Sequence, residues 1–186
     1  MNISNKTNIR RVIIVHGWAD DPRQGWIAWL CTKLRAEGID AVAPTMPDPQ
    51  KPHIEAWLDT LRETIGEIDE GTALVGHSLG VYVLLRYLNS CRQGEKLGKL
   101  ILVAGFAGHE RTAQGKRALP EVEFDHIKKL VSSIYCVYSD DDKVVPPEWS
   151  EQLGIALGAQ NVVDGGKGHF AGLRGCDTLE SVYELI

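Results

Sequence analysis

Thr72-Ala73-Leu74-Val75-Gly76-His77-Ser78-Leu79-Gly80 reads as a buried strand that gives way to a helix through a sharp turn. Its last five residues fit G-x-S-x-G, the pattern in which a serine sits on a strand-to-helix turn with its hydroxyl exposed at the carboxyl end of the strand. A turn this sharp calls for glycine two residues away on either side, and Gly76 and Gly80 supply both. A strand–turn–helix junction can also hold a serine with no chemical role, so the partners of a nucleophile must be sought in the rest of the chain.

Working outward, short apolar segments rich in β-branched residues recur at 12–15, 40–43, 72–75, 99–103, 134–138 and 160–163. Each has the length of a strand. Between them lie helical patterns at 26–37, 53–67, 79–89, 125–131 and 147–157, and a last one is expected over 178–186. This alternation predicts an α/β fold: a doubly wound, three-layer sandwich of about six mostly parallel strands with right-handed crossovers. Gly38 is placed to stop the first helix, and Pro146-Pro147 to start the one after the fifth strand. The segment 105–123 reads as a polar loop, too poor in apolar residues to roof a deep lipid tunnel.

The 186 residues suffice for one domain, 1–186, and a chain of that size buries about 70% of its unfolded surface without help from a disulfide or metal. A net charge of −5 offers no electrostatic ground for nucleic acid or an anionic membrane as partner. No apolar run approaches the ~18 residues of a membrane span, and the first eleven residues lack the apolar core of a signal peptide, so a cytoplasmic protein is expected. Cys31, Cys91, Cys136 and Cys176 lie far apart, with no C-x-x-C pair. They read as reduced, mostly buried thiols rather than a zinc or redox site.

A serine hydroxyl becomes a useful nucleophile only when a base takes its proton, and the base needs a carboxylate to hold it. In an open parallel sheet such groups gather at the carboxyl ends of strands. His169 meets this condition in Asp164-Gly165-Gly166-Lys167-Gly168-His169-Phe170, where glycines permit a tight loop. His16 also follows a strand but reads as structural, His77 should point away from Ser78, and His53, His109 and His126 read as surface histidines. Three aspartates follow the fifth strand in Ser139-Asp140-Asp141-Asp142-Lys143-Val144-Val145-Pro146. Asp142 is selected because its D-x-x-V-P spacing lets Val145 and Pro146 anchor the next helix while the carboxylate turns toward His169; helix capping is the reading for Asp140 or Asp141. For a developing oxyanion the expected backbone donors are the N–H groups of Leu79, after the nucleophile, and Trp18, in the loop after the first strand. The Trp18 side chain is expected to form a pocket wall, with Asp20 and Asp21 near the mouth. Trp26, Trp29 and Trp57 fall at apolar helical positions and are assigned to the core.

With the elbow, the His16-Gly17 turn, the run from Ser139 to Pro146 and Gly168-His169-Phe170 taken together, the chain resembles the small serine hydrolases of the α/β-hydrolase superfamily, and within them the YdeN-like group related to retinoblastoma-binding protein nine. The resemblance extends to Met46-Pro47-Asp48-Pro49, to Trp57-Leu58-Asp59-Thr60-Leu61 and to Leu100-Ile101-Leu102-Val103-Ala104-Gly105-Phe106, and so spans nearly the whole chain. It implies a trimmed hydrolase fold without the two amino-terminal strands and without a large lid, with nucleophile, acid and base on Ser78, Asp142 and His169. The chain departs from the group at Trp18, where related sequences often carry a small or polar residue.

The expected activity is hydrolysis of an ester or related acyl bond in a small-molecule substrate, with no metal or organic cofactor and no protein partner indicated. A peptidase or thioesterase would use the same machinery on another acyl bond. A protein-binding module that kept the fold and lost turnover is the alternative of a different class.

Overall fold

The computed structural model describes residues 8–112, 115–118, 120–171 and 176–186. Apolar β-branched runs become strands and amphipathic runs become helices in strict alternation: β1 (Arg11–Val15), α1 (Gly25–Ala36), β2 (Asp40–Val42), α2 (Ile54–Ile65), β3 (Thr72–His77), α3 (Leu79–Ser90) and β4 (Leu97–Val103). The second half continues with β5 (His109–Thr112), β6 (Gly115–Ala118), α4 (Phe124–Leu130), β7 (Val131–Tyr138), α5 (Pro147–Leu157), β8 (Gln160–Val163) and α6 (Glu180–Tyr183). Six of the strands form one parallel sheet in the order β2-β1-β3-β4-β7-β8, as the alternation requires.

The chain steps outward from β1 to β2 and then returns to pair β3 with the other side of β1. This reversal opens a crevice at the carboxyl ends of β1 and β3, the place where open α/β sheets bind ligands. The loop carrying Gly17 and Trp18 leaves one of those ends, and Ser78 leaves the other.

Period-two alternation sends successive strand residues to opposite faces of the sheet. Ile13, Val15, Leu74, Leu100 and Leu102 pack with Trp57, Leu61, Leu84, Ile127 and Leu153 from α2 to α5. Val12, Ile14, Val75, Ile101 and Val137 pack on the other face with Trp26, Ile27, Leu30 and Val182 from α1 and α6. Trp26 and Trp57 are wholly buried, as the spacing predicts, whereas Trp29 is half-buried under a cation–π contact with Lys33.

Several boundaries and one loop differ from the sequence reading. The helix expected to reach Val131 stops at Leu130, because Val131 already takes extended backbone and pairs with Leu97. The terminal helix is α-helical only over Glu180–Tyr183; Leu185 and Ile186 donate to carbonyls three residues back, the tighter winding common at helix ends. The stretch read as a plain polar loop contains an antiparallel hairpin, β5–β6, registered from His109↔Ala118 to Thr112↔Gly115. Two of the cysteines, Cys31 and Cys136, are buried, and Cys91 and Cys176 are half-buried; all four are free thiols. Among the described residues no helix is long and apolar enough to cross a membrane.

Candidate active site

Ser78 carries the strain of the elbow itself, with φ 52° and ψ −116°, a region that non-glycine residues rarely occupy. Its N–H donates to the Val103 carbonyl at 2.9 Å, and its carbonyl accepts the Val81 N–H at 3.0 Å, so the turn is locked to β4 and to α3. Gly76 and Gly80 are needed for a reason other than the one inferred from sequence: neither has a positive φ. A Cβ on Gly76 would lie 2.9 Å from the Val81 backbone, and one on Gly80 would collide with the Val15 carbonyl oxygen. The glycines let α3 press against β3 and against the end of β1. Gly17 belongs to the same contact, since a Cβ there would stand 3.1 Å from Cβ of Ser78.

His169 leaves β8 through a loop in which Gly166 and Gly168 have φ of 71° and 56°, conformations that favour glycine. Its Nε2 lies 2.9 Å from Ser78 Oγ, and its Nδ1 lies 2.7 Å from Asp142 Oδ2. A carboxylate only accepts, so Nδ1 carries the proton and Nε2 presents its lone pair to the serine hydroxyl. Asp142 is buried, and its other oxygen accepts the N–H groups of Val144 and Val145 at 2.8 and 3.0 Å. One carboxylate oxygen thus fixes the loop while the other faces the imidazole, as the D-x-x-V-P spacing predicts.

The helix-capping reading of Asp140 or Asp141 is corrected. Asp140 accepts the Gly166 N–H at 2.9 Å, Ser139 Oγ the Lys167 N–H at 2.9 Å, and Asp141 the Gly168 N–H at 2.8 Å. Ser139 in turn donates to Asp141 at 2.7 Å, which together with the Gly168 N–H holds the Asp141 carboxyl below the usual carboxylate range. Three successive peptide N–H groups of the His169 loop are therefore each taken by a separate side chain of the run before Asp142. A helix cap would have required partners in α5, whose first residues take none from either aspartate.

The N–H of Leu79 is the first of α3 and has no acceptor within its own helix. Trp18 stands beside Gly17, on the loop that packs against Ser78. The Trp18 indole N–H donates to the Gln50 carbonyl at 3.0 Å, and the residue is 63% exposed. Asp20 turns inward toward His77, and Asp21 is clasped by Arg23, whose guanidinium holds its carboxyl well below the usual carboxylate range.

Two buried histidines complete the frame. His16 accepts the Met46 N–H on Nε2 at 3.1 Å and donates from Nδ1 to the Gly17 carbonyl at 2.8 Å, a pairing possible only for the neutral ring. Burial accordingly pushes its pKa below the ordinary value. His77 turns from Ser78 to the carbonyl of His169, 2.7 Å from its Nε2. Trp26, assigned to the core on spacing alone, also donates its indole N–H to the Phe170 carbonyl at 2.9 Å. Neither bond was legible in the sequence, because both partners lie across the sheet's crevice and nothing in local spacing marks them. His53 is exposed and His126 is half-buried; the His109 side chain lies outside the described residues.

Fold and site together define a trimmed α/β-hydrolase with a serine at the elbow. Residues 12–186 match the serine hydrolase family, and the chain belongs to that family. It is 35% identical over 179 residues to YdeN of Bacillus subtilis (strain 168), covering 95% of this chain and 94% of that one. It is 30% identical over 178 residues to serine hydrolase RBBP9 of Rattus norvegicus, covering 92% and 91%. The crystal structure of the B. subtilis ydeN product superposes with a TM-score of 0.88 at 32% identity, over 95% of this chain and 96% of that chain.

Proposed function

We propose that the protein hydrolyses an ester of a small acyl substrate, with Ser78 as nucleophile, His169 as general base and Asp142 as the acid that orients it. The observation that carries this reading is the unbroken relay of 2.9 Å from Ser78 Oγ to His169 Nε2 and 2.7 Å from His169 Nδ1 to Asp142 Oδ2. Oγ attacks the acyl carbonyl as its proton passes to Nε2, and the buried Asp142 carboxylate stabilises the imidazolium that results. The negative charge that forms on the carbonyl oxygen is met by the N–H groups of Leu79 and Trp18, with the amino end of α3 adding a favourable dipole. The tetrahedral adduct collapses as Nε2 returns the proton to the leaving alkoxide. A water deprotonated by the same nitrogen then releases the acid and restores Ser78.

The test is labelling with a fluorophosphonate probe, followed by mapping of the modified residue and an assay on p-nitrophenyl acetate. Phosphonylation at Ser78, lost in a folded Ser78→Ala variant together with ester hydrolysis, is the expected result. Labelling that persists in that variant would sink the assignment. Hydrolysis of peptide or thioester substrates well above that of esters would move the activity to another acyl bond on the same machinery.

A further inference from the structure

Resting on that reading of the site, we propose that His77 is a positioning residue that holds the base by its backbone carbonyl, with Asp20 fixing the ring of His77. His77 is only 2% exposed although it immediately precedes the nucleophile. A carbonyl oxygen only accepts, so the 2.7 Å contact with the His169 carbonyl is donated by Nε2–H. The opposite nitrogen, Nδ1, has no hydrogen-bond partner and stands 3.6 Å from Asp20 Oδ2, beyond a hydrogen bond; Asp20 pairs with the ring there when Nδ1 carries a proton as well as Nε2. Burial pushes the Asp20 carboxyl up, yet His77, the Asp21 N–H and His16 together outweigh it and leave the group below the usual range. Gly17 closes over the same nitrogen, since a Cβ there would lie 3.2 Å from it. Trp26 stands edge-on to the ring at 6.0 Å, and the His169 ring lies 5.0 Å away.

The bond acts where the base is least constrained by its own sequence. Gly166 and Gly168 give the loop before His169 little intrinsic rigidity, and Ser78 and Asp142 restrain only the imidazole ring. His77 restrains the peptide that carries the ring. Because residues 77 and 78 are consecutive, the nucleophile's oxygen and the base's carbonyl are referenced to the same turn of chain at the end of β3. Asp20 connects that turn to the loop that bears Trp18. One buried ring therefore joins the three segments that supply base, nucleophile and oxyanion donor. A displacement of about 1 Å at such a site costs on the order of 10²-fold in rate.

The experiment compares wild type, His77→Leu, His77→Gln and Asp20→Ala as full chains, with fold checked by near-UV circular dichroism. It reads the rate of fluorophosphonate labelling together with kcat and KM on p-nitrophenyl acetate. For His77→Leu, kcat and labelling rate should fall by roughly 10- to 100-fold while KM stays within about twofold, because the loss is in geometry and not in substrate contact. His77→Gln, whose amide can donate from near the position of Nε2, should recover to within about fivefold of wild type. Asp20→Ala should lower kcat several-fold at unchanged KM, and it decides the matter if His77→Leu does not fold. A folded His77→Leu, or failing that Asp20→Ala, with wild-type kcat would overturn the inference. Absence of labelling and hydrolysis in the wild type would instead overturn the reading of the site, and this inference with it.

Discussion

The Gly168 N–H points into the carboxylate of Asp141 at 2.8 Å, so the residue just before His169 is held by the residue just before Asp142. The two loops are thus joined in two ways, through three successive N–H groups of the His169 loop and through the Asp142–His169 pair. Substitutions along the aspartate run should separate these two roles. Asp142→Asn should cost about 10⁴ in kcat, because the imidazole loses the partner that sets its tautomer. Asp141→Ala should cost only about tenfold, as expected of a sub-ångström displacement of the loop. Steady-state kinetics at equal folded fraction check the ranking, and a larger loss in Asp141→Ala would reverse the assignment.

His169→Ala should remove nearly as much activity as Ser78→Ala, on the order of 10³-fold or more in kcat, since members of such a relay act as a unit. Both variants should unfold at close to the wild-type temperature. A loss below tenfold in His169→Ala would point to another base.

Gly80→Ala should destabilise the protein by about 1–3 kcal/mol, because its new Cβ meets the Val15 carbonyl and forces α3 away from the end of β1. Gly38→Ala provides the contrast: nothing lies within 4 Å of its Cβ position, and only its φ of 83° opposes the substitution. Thermal unfolding should show the larger loss at Gly80, accompanied by reduced labelling of Ser78 that Gly38→Ala does not share. Equal labelling in the two variants would show that the close approach at Gly80 does not shape the elbow.

His16 gives a pH dependence of definite sign. Its pKa is depressed in the folded state by burial, so the unfolded chain takes up the proton first. The stability it contributes is complete above the ordinary value of 6.5 and is lost as pH falls from there toward the depressed value. Each unit of depression corresponds to roughly 1.4 kcal/mol. Melting temperatures between pH 5 and 8 should decline more steeply in the wild type than in His16→Gln, whose side chain can still accept the Met46 N–H and does not titrate. Parallel slopes would remove His16 as the cause.

Among the described residues, the segment between β4 and α4 carries the antiparallel pair β5–β6 and no helix that would roof a long acyl chain. Across p-nitrophenyl esters from acetate to palmitate, kcat/KM should therefore be highest for short acyl groups. A rise toward long chains, or activation at an interface, would contradict this.

The G-x-S-x-G stretch, the alternation of strand and helix and the order of Ser78, Asp142 and His169 were legible in the sequence because each is written in local spacing. Period-two and helical patterns mark which segments bury a face, and the topology of a parallel sheet then brings the ends of β3, β7 and β8 to one edge. What local spacing does not carry is which atoms meet across that edge. Spacing reads Asp140 or Asp141 as a helix cap, yet the partners of both lie more than twenty residues away in the His169 loop. The strain expected of Gly76 and Gly80 falls on Ser78, and the glycines serve the contact of α3 with β1. His77 and Trp26 bond the carbonyls of His169 and Phe170 only because the chain's return from β2 to β3 sets the elbow beside α1 and the last loop. Hydrogen bonds between distant segments depend on distances of a few tenths of an ångström, and those are decided by how the two faces of the sheet pack.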